Sequence, residues 1–207
     1  MQIQLIPELP TDSKNYDVLT RGAIRAKDVS GLTCEIGLRR GGGTKAIIEG
    51  ILESGIKKVH IAIDPYGDME YADGDVRAIR YGYTNTMRDE CLTNLYLYCL
   101  GRGINLYFFA LEDTEFFSRF GDGVPVYDEH KRIVNDYSFV HFDGPHSVAA
   151  VKEEVTFFHA RTQPGAVFVF DDVNLYDHSV IDALLDDSGW QLYEMSERKW
   201  AYFKRHA

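Results

Sequence analysis

The chain has 207 residues, 45% of them hydrophobic and 26% charged, a size and composition that favour one globular domain with a sizeable core. Its net charge of −10 excludes a general nucleic-acid partner, which needs a basic surface. No apolar run reaches membrane-spanning length, Met1 to Leu5 lacks the pattern of a secretory leader, and three cysteines (Cys34, Cys91, Cys99) without a C-x-x-C predict buried thiols in a reducing, cytoplasmic setting.

Residues 1–30 read as an N-terminal arm with a cap helix: a loose stretch with two prolines, then Ser13 to Lys27 with Val18, Leu19, Ala23 and Ile24 on one side. An apolar strand, Leu32–Ile36, leads into the glycine-rich loop that ends at Thr44. A helix follows to Ser54, with Ile47, Ile48, Ile51 and Leu52 on one face and Gly55 past its end. The next strand, Val59–Ile63, ends in Asp64-Pro65. Residues 66–87 show no period and are long for a connection, so 66–100 reads as an insertion or lid region. It closes with a helix, Arg88–Leu100, whose stripe of Leu92, Leu95, Tyr96 and Cys99 suits a core. A third strand, Asn105–Leu111, ends in Glu112-Asp113-Thr114. Residues 121–135 read as a polar loop. A buried strand, Tyr137–Phe142, ends in Asp143-Gly144-Pro145-His146, and the following helix turns Val148, Val151, Val155 and Phe158 inward. Gln163-Pro164-Gly165 reads as a turn before the strand Val167–Phe170, which ends in Asp171-Asp172. A helix near Ser179–Asp187 and two strands, Gln191–Met195 and Lys199–Lys204, close the chain. The alternation implies an α/β fold with a mostly parallel sheet and an antiparallel hairpin at one edge.

The loop Cys34-Glu-Ile-Gly-Leu-Arg-Arg-Gly-Gly-Gly-Thr44 has the geometry of a nucleotide or nucleoside site. Its spacing departs from G-x-G-x-x-G, and Glu35 at the strand end repels a pyrophosphate and suits a cationic amino-acid ligand. Asp64, at the end of the next strand, can accept both ribose hydroxyls of a nucleoside. Glu35-x-Gly37 with Gly41-Gly42-Gly43-Thr44 resembles the first motif of class I S-adenosylmethionine-dependent methyltransferases. The Gly-Gly-(small)-Thr ending is similar to the branch holding macrocin O-methyltransferase-like and cephalosporin-hydroxylase-like proteins. The resemblance covers about residues 30–205 and implies a Rossmann-like methyltransferase fold with a seven-stranded sheet and helices on both faces. It implies S-adenosylmethionine as cofactor, held by Glu35, Gly37, Gly41, Gly43, Thr44, Asp64, Asp113 and Asp143. Asp113 would contact the adenine amino group, and a helix-start role for it stays open.

Asp143, Asp171 and Asp172 all follow strands, and clustered carboxylates call for a cation; Mg²⁺ or another hard divalent ion suits them. The alternatives are a helix cap at Asp143, with Pro145 in the first turn, and a solvated turn at the acid pair. The arrangement resembles metal-dependent O-methyltransferases, which implies Asp143, Asp171 and Asp172 as metal ligands and His146, three residues after the first acid, as the base. The first turn of a helix would keep that imidazole neutral. His141 reads as a core residue, His178 as a surface one with a place at the pocket's border as the alternative, and Arg39 and Arg40 as solvated or carboxylate-binding. The expected activity is metal-assisted O-methylation of a small hydroxylated molecule by a chain that can pair into a homo-oligomer. The alternatives are a nicotinamide oxidoreductase, disfavoured by the loop spacing, and a nucleoside-binding module without turnover.

Overall fold

The computed structural model describes residues 9–11, 13–68 and 82–206. Seven strands form one sheet: β1 (Leu32–Ile36), β2 (Val59–Ile63), β3 (Asn105–Phe109), β6 (Tyr137–Phe142), β7 (Thr162–Phe170), β8 (Trp190–Met195) and β9 (Trp200–Lys204). Their order is β3-β2-β1-β6-β7-β9-β8. The first five are parallel, and β9 runs antiparallel to β7 and β8, as the alternation and the closing hairpin predict.

Every residue of β1, β2 and β6 is buried, the mark of parallel strands covered on both faces. On one face Leu32, Cys34, Ile36 and Phe168 pack with α4 (Asp113–Phe120), α5 (Val148–His159) and α6 (His178–Asp187). On the other, Phe139, Val167 and Val169 meet α1 (Asp17–Arg25) and α2 (Gly42–Glu53), and α3 (Asn85–Leu100) packs beside them over Ala62 and Leu106. The helix starts are locally specified: Thr84 and Ser147 accept from the backbone N–H three residues on, and Glu112 and Glu115 close a capping box on α4. Cys34, Cys91 and Cys99 are buried and form no disulfide. Among the described residues no helix is long and apolar enough to cross a membrane.

Three expectations need correction, and a fourth lies partly outside the described residues. Residues 121–135 hold a hairpin, β4 (Val124–Tyr127) with β5 (Lys131–Val134), because Val124 and Val126 both turn into the core with Pro125 between them. The turn expected at Gln163-Pro164-Gly165 lies within β7, and the register shift between Tyr137 and Phe139 on β6 absorbs the irregularity. α3 starts three residues earlier than its apolar spacing suggests. It buries Cys91, Leu95, Tyr98 and Cys99 and leaves Tyr96 exposed. Residues 69–81 of the expected lid lie outside the described residues.

Candidate active site

The sheet order reverses between β1 and β6, and open parallel sheets bind ligands at the carboxyl ends of such a pair. The residue after each strand still bonds to its neighbour: Gly37 N–H to Ile63 O (2.9 Å), Asp64 N–H to Phe109 O (3.1 Å), Asp143 N–H to Ile36 O (3.0 Å) and Asp171 N–H to Phe142 O (2.9 Å). The strand ends are thereby fixed side by side. A cavity of about 460 Å³ opens above them, lined by Gly37, Asp64, Asp113, Asp143, His146, Asp171 and Asp172. Ser13, Arg39, Tyr83 and Arg198 also line it, with Ile36, Ile63 and Leu111 among its apolar members. The sequence alone did not single out Ser13, Tyr83 or Arg198.

The glycine loop divides its labour. Gly37 borders the cavity at φ +88°, and a Cβ there would collide with the Asp143 carbonyl oxygen, so only glycine lets β1 and β6 close up. Gly41, at φ +81°, caps α2 in the left-handed region. Gly43 and Thr44 are buried in the first turn of α2, away from the cavity. Glu35, expected to face the ligand, also turns away. It is 1% exposed, accepts from Thr44 Oγ1, and lies 2.9 Å from His141 Nδ1. Thr44 Oγ1 is 3.2 Å from His60 Nε2, and His60 Nδ1 is 2.9 Å from Thr33 Oγ1. A buried polar chain thus runs from Thr33 to His141 beneath α2. Burial, with His141 adjacent, drives His60 down to about 3 and keeps it neutral. A Cβ on Gly43 would strike Glu35 Oε1, so that glycine makes room for the carboxylate rather than for a ligand.

Asp64 is 3% exposed and holds two loop N–H groups, from Arg39 (2.9 Å) and Tyr66 (3.0 Å). Burial lifts its carboxyl to about 6 against the pull of these donors. Asp113 is the first residue of α4 and accepts from Thr114 N–H at 2.8 Å, so the helix-start and cavity-lining roles coexist. Below it Glu154 is fully buried with neither carboxyl oxygen hydrogen-bonded among the described residues. Burial, and then the Asp113 carboxylate, push it well above the usual range.

The acids after β6 and β7 converge as predicted. His146 Nε2 lies 3.8 Å from Asp143 Oδ1 and 4.0 Å from Asp172 Oδ2. His146 and Pro145 precede the helix, whose cap is Ser147, so neither stands in a first helical turn. Burial and then Asp171 raise Asp143 well above the carboxylate range. Asp171 is likewise buried, yet the Lys199 ammonium, 2.5 Å from its Oδ2, holds it below that range. Arg198 pairs with Asp172 Oδ1. His141, Asp143 and Asp171 each bring a ligand atom within 4.8 Å of the others, a different trio from the expected one. The expected trio does not fit a divalent ion as arranged: Asp171 and Asp172, two of its three members, already pair with Lys199 and Arg198. His178, expected at the surface, is buried between the Tyr176 (2.9 Å) and Tyr202 (3.1 Å) hydroxyls.

No family model and no curated protein matches the sequence. Solved structures do match in shape. The O-methyltransferase NovP superposes with a TM-score of 0.61 at 13% identity, covering 92% of this chain and 79% of its own. CalS11, a calicheamicin methyltransferase, gives 0.57 at 14% identity, covering 91% and 76%. This chain has the fold of these methyltransferases. An O-methyltransferase from Bacillus cereus, solved in complex with SAH, gives 0.54 at 12% identity, covering 95% and 84%. In this methyltransferase fold the cavity lies along the strand ends, with Asp64 and Asp113 toward the β3 edge and His146 with its acids toward β7.

Proposed function

We propose that the chain is an S-adenosylmethionine-dependent methyltransferase acting on a hydroxyl of a small molecule. The observation that carries this reading is the polarity of the cavity. Two acids at the ends of β2 and β3 suit the hydroxyls and amino group of a nucleoside, and an imidazole stands beside Asp143 across the switch point. When bound, the cofactor supplies an electrophilic methyl on a sulfonium. Asp64 accepts from the ribose hydroxyls and Asp113 from the adenine amino group. Asp143 faces the cationic amino-acid end. His146 takes the proton of the acceptor hydroxyl as oxygen becomes the nucleophile. Metal assistance is not part of this reading, since Asp171 and Asp172 carry Lys199 and Arg198.

Calorimetry with S-adenosylhomocysteine is the first test. Saturable binding, followed by label transfer from methyl-labelled cofactor to a hydroxylated acceptor, supports the proposal. Stabilisation by NADH in place of S-adenosylhomocysteine would replace it with the oxidoreductase reading.

A further inference from the structure

We infer that Lys199 is the resident cation of this site, standing where a divalent ion would otherwise balance the acids. The inference rests on the methyltransferase reading only for its consequence, that transfer proceeds without metal. Lys199 is 0% exposed, an unusual position for an ammonium unless its partners are complete. Its Nζ donates to Asp171 Oδ2 at 2.5 Å and to Ser13 Oγ at 3.0 Å, and lies 4.8 Å from the centre of the Tyr16 ring. Two hydrogen bonds and one aromatic face surround the charge.

The position is held by the backbone. Ser196 N–H bonds to Lys199 O at 2.8 Å, and Lys199 N–H bonds back to Ser196 Oγ at 2.9 Å. Val173 N–H, in the loop after β7, bonds to Arg198 O at 3.2 Å. The antiparallel register pairs Phe170 with Trp200, so the residue after β7, Asp171, meets the residue before β9, Lys199. An ion entering at Asp171 would face the buried ammonium, where like charges repel more strongly than in bulk water. Lys199 could yield only by breaking this turn. It is a positioning residue: it fixes Asp171 and joins the N-terminal arm, through Ser13, to the cavity wall.

The test is Mn²⁺ binding, read by electron paramagnetic resonance on the intact protein and on Lys199→Gln. The wild type is expected to show no saturable Mn²⁺ site and, after exhaustive chelation, an unchanged transfer rate. Lys199→Gln leaves Asp171 and the neighbouring Asp143 without their cation and is expected to gain a one-to-one Mn²⁺ site, which loss of packing alone would not create. A saturable site in the wild type overturns the inference, and so does a folded variant that gains none. If the variant does not fold, the wild-type titration decides alone. S-adenosylhomocysteine calorimetry reports separately on the methyltransferase reading, so a protein that binds neither ligand retains the Lys199 assignment and loses that reading.

Discussion

Asp64 places a carboxyl in a site that is 3% exposed, with two backbone N–H donors as partial compensation. Its folded pKa of about 6 lies above the ordinary 3.8, so between those values the folded state holds the proton more tightly than the unfolded chain. Stability from this group is therefore highest below pH 4 and falls as pH rises through 6, by about 3 kcal/mol at full ionisation. Asp64→Asn should remove that slope, as urea titrations of the ligand-free protein from pH 4 to 7 will report. Asp64→Ala should also weaken S-adenosylhomocysteine by roughly 2–4 kcal/mol, through lost ribose bonds and a released Arg39–Tyr66 loop. Unchanged affinity by calorimetry would take Asp64 out of the cofactor site. His146 makes a different demand. As the base it should be needed for turnover alone, so His146→Ala should lower kcat by roughly 10²–10⁴ with S-adenosylhomocysteine affinity unchanged. A near-normal kcat with the wild-type pH profile would leave proton removal to solvent.

At the scale of elements, α2 sits on β1 only because Gly43 has no side chain where Glu35 Oε1 lies. Gly43→Ala should destabilise the protein by about 1–3 kcal/mol or more, since the obstruction is a buried carboxylate already bonded to Thr44 and His141. Gly55→Ala is the control: among the described residues beyond its chain neighbours, no atom lies within 4 Å of where the new Cβ would stand, leaving only the strain of φ +70°. Equal losses in thermal melts would show that the Glu35 contact is not what fixes the helix. The strand-loop-helix order here was legible because β1 and β2 are short, mostly apolar runs, broken only by Thr33, Glu35 and His60, and the glycines are adjacent in sequence. Asp64, Asp143 and Asp171 were legible as cavity residues because parallel strands end on one side of the sheet. The direction of Glu35 was not legible, because it depends on His141, 106 residues away. The pairing of Asp171 with Lys199 depends on the β7–β9 register, and two basic residues in a turn carry no sign of it. The β4–β5 hairpin was missed because Gly121, Gly123 and Pro125 mask an alternation of only two valines.

For the whole molecule, burying imidazoles sets the response to acid. His178 contacts both tyrosine hydroxyls, and burial lowers it to about 4 from 6.5. His60 under α2 falls further, to about 3. For a base held neutral in the fold, the unfolded chain binds more protons between the two pKa values. The stability each contributes is complete above pH 6.5 and is lost as pH falls, by about 3 kcal/mol for His178 and about 5 kcal/mol for His60 at the acid extreme. Asp64, Asp143 and Glu154, raised by burial, push the other way over the acid range. The net curve blends both signs, but a difference curve isolates one group. His178→Gln should cost about 1–3 kcal/mol at pH 7, where a tyrosine hydroxyl loses its partner. That deficit should shrink steadily from pH 6.5 to pH 4, because the variant has no imidazole to protonate. A deficit that stays constant across this window in denaturant titrations would mean that His178 titrates alike in the folded and unfolded chains, and that the acid limb belongs to His60 and the carboxyl groups.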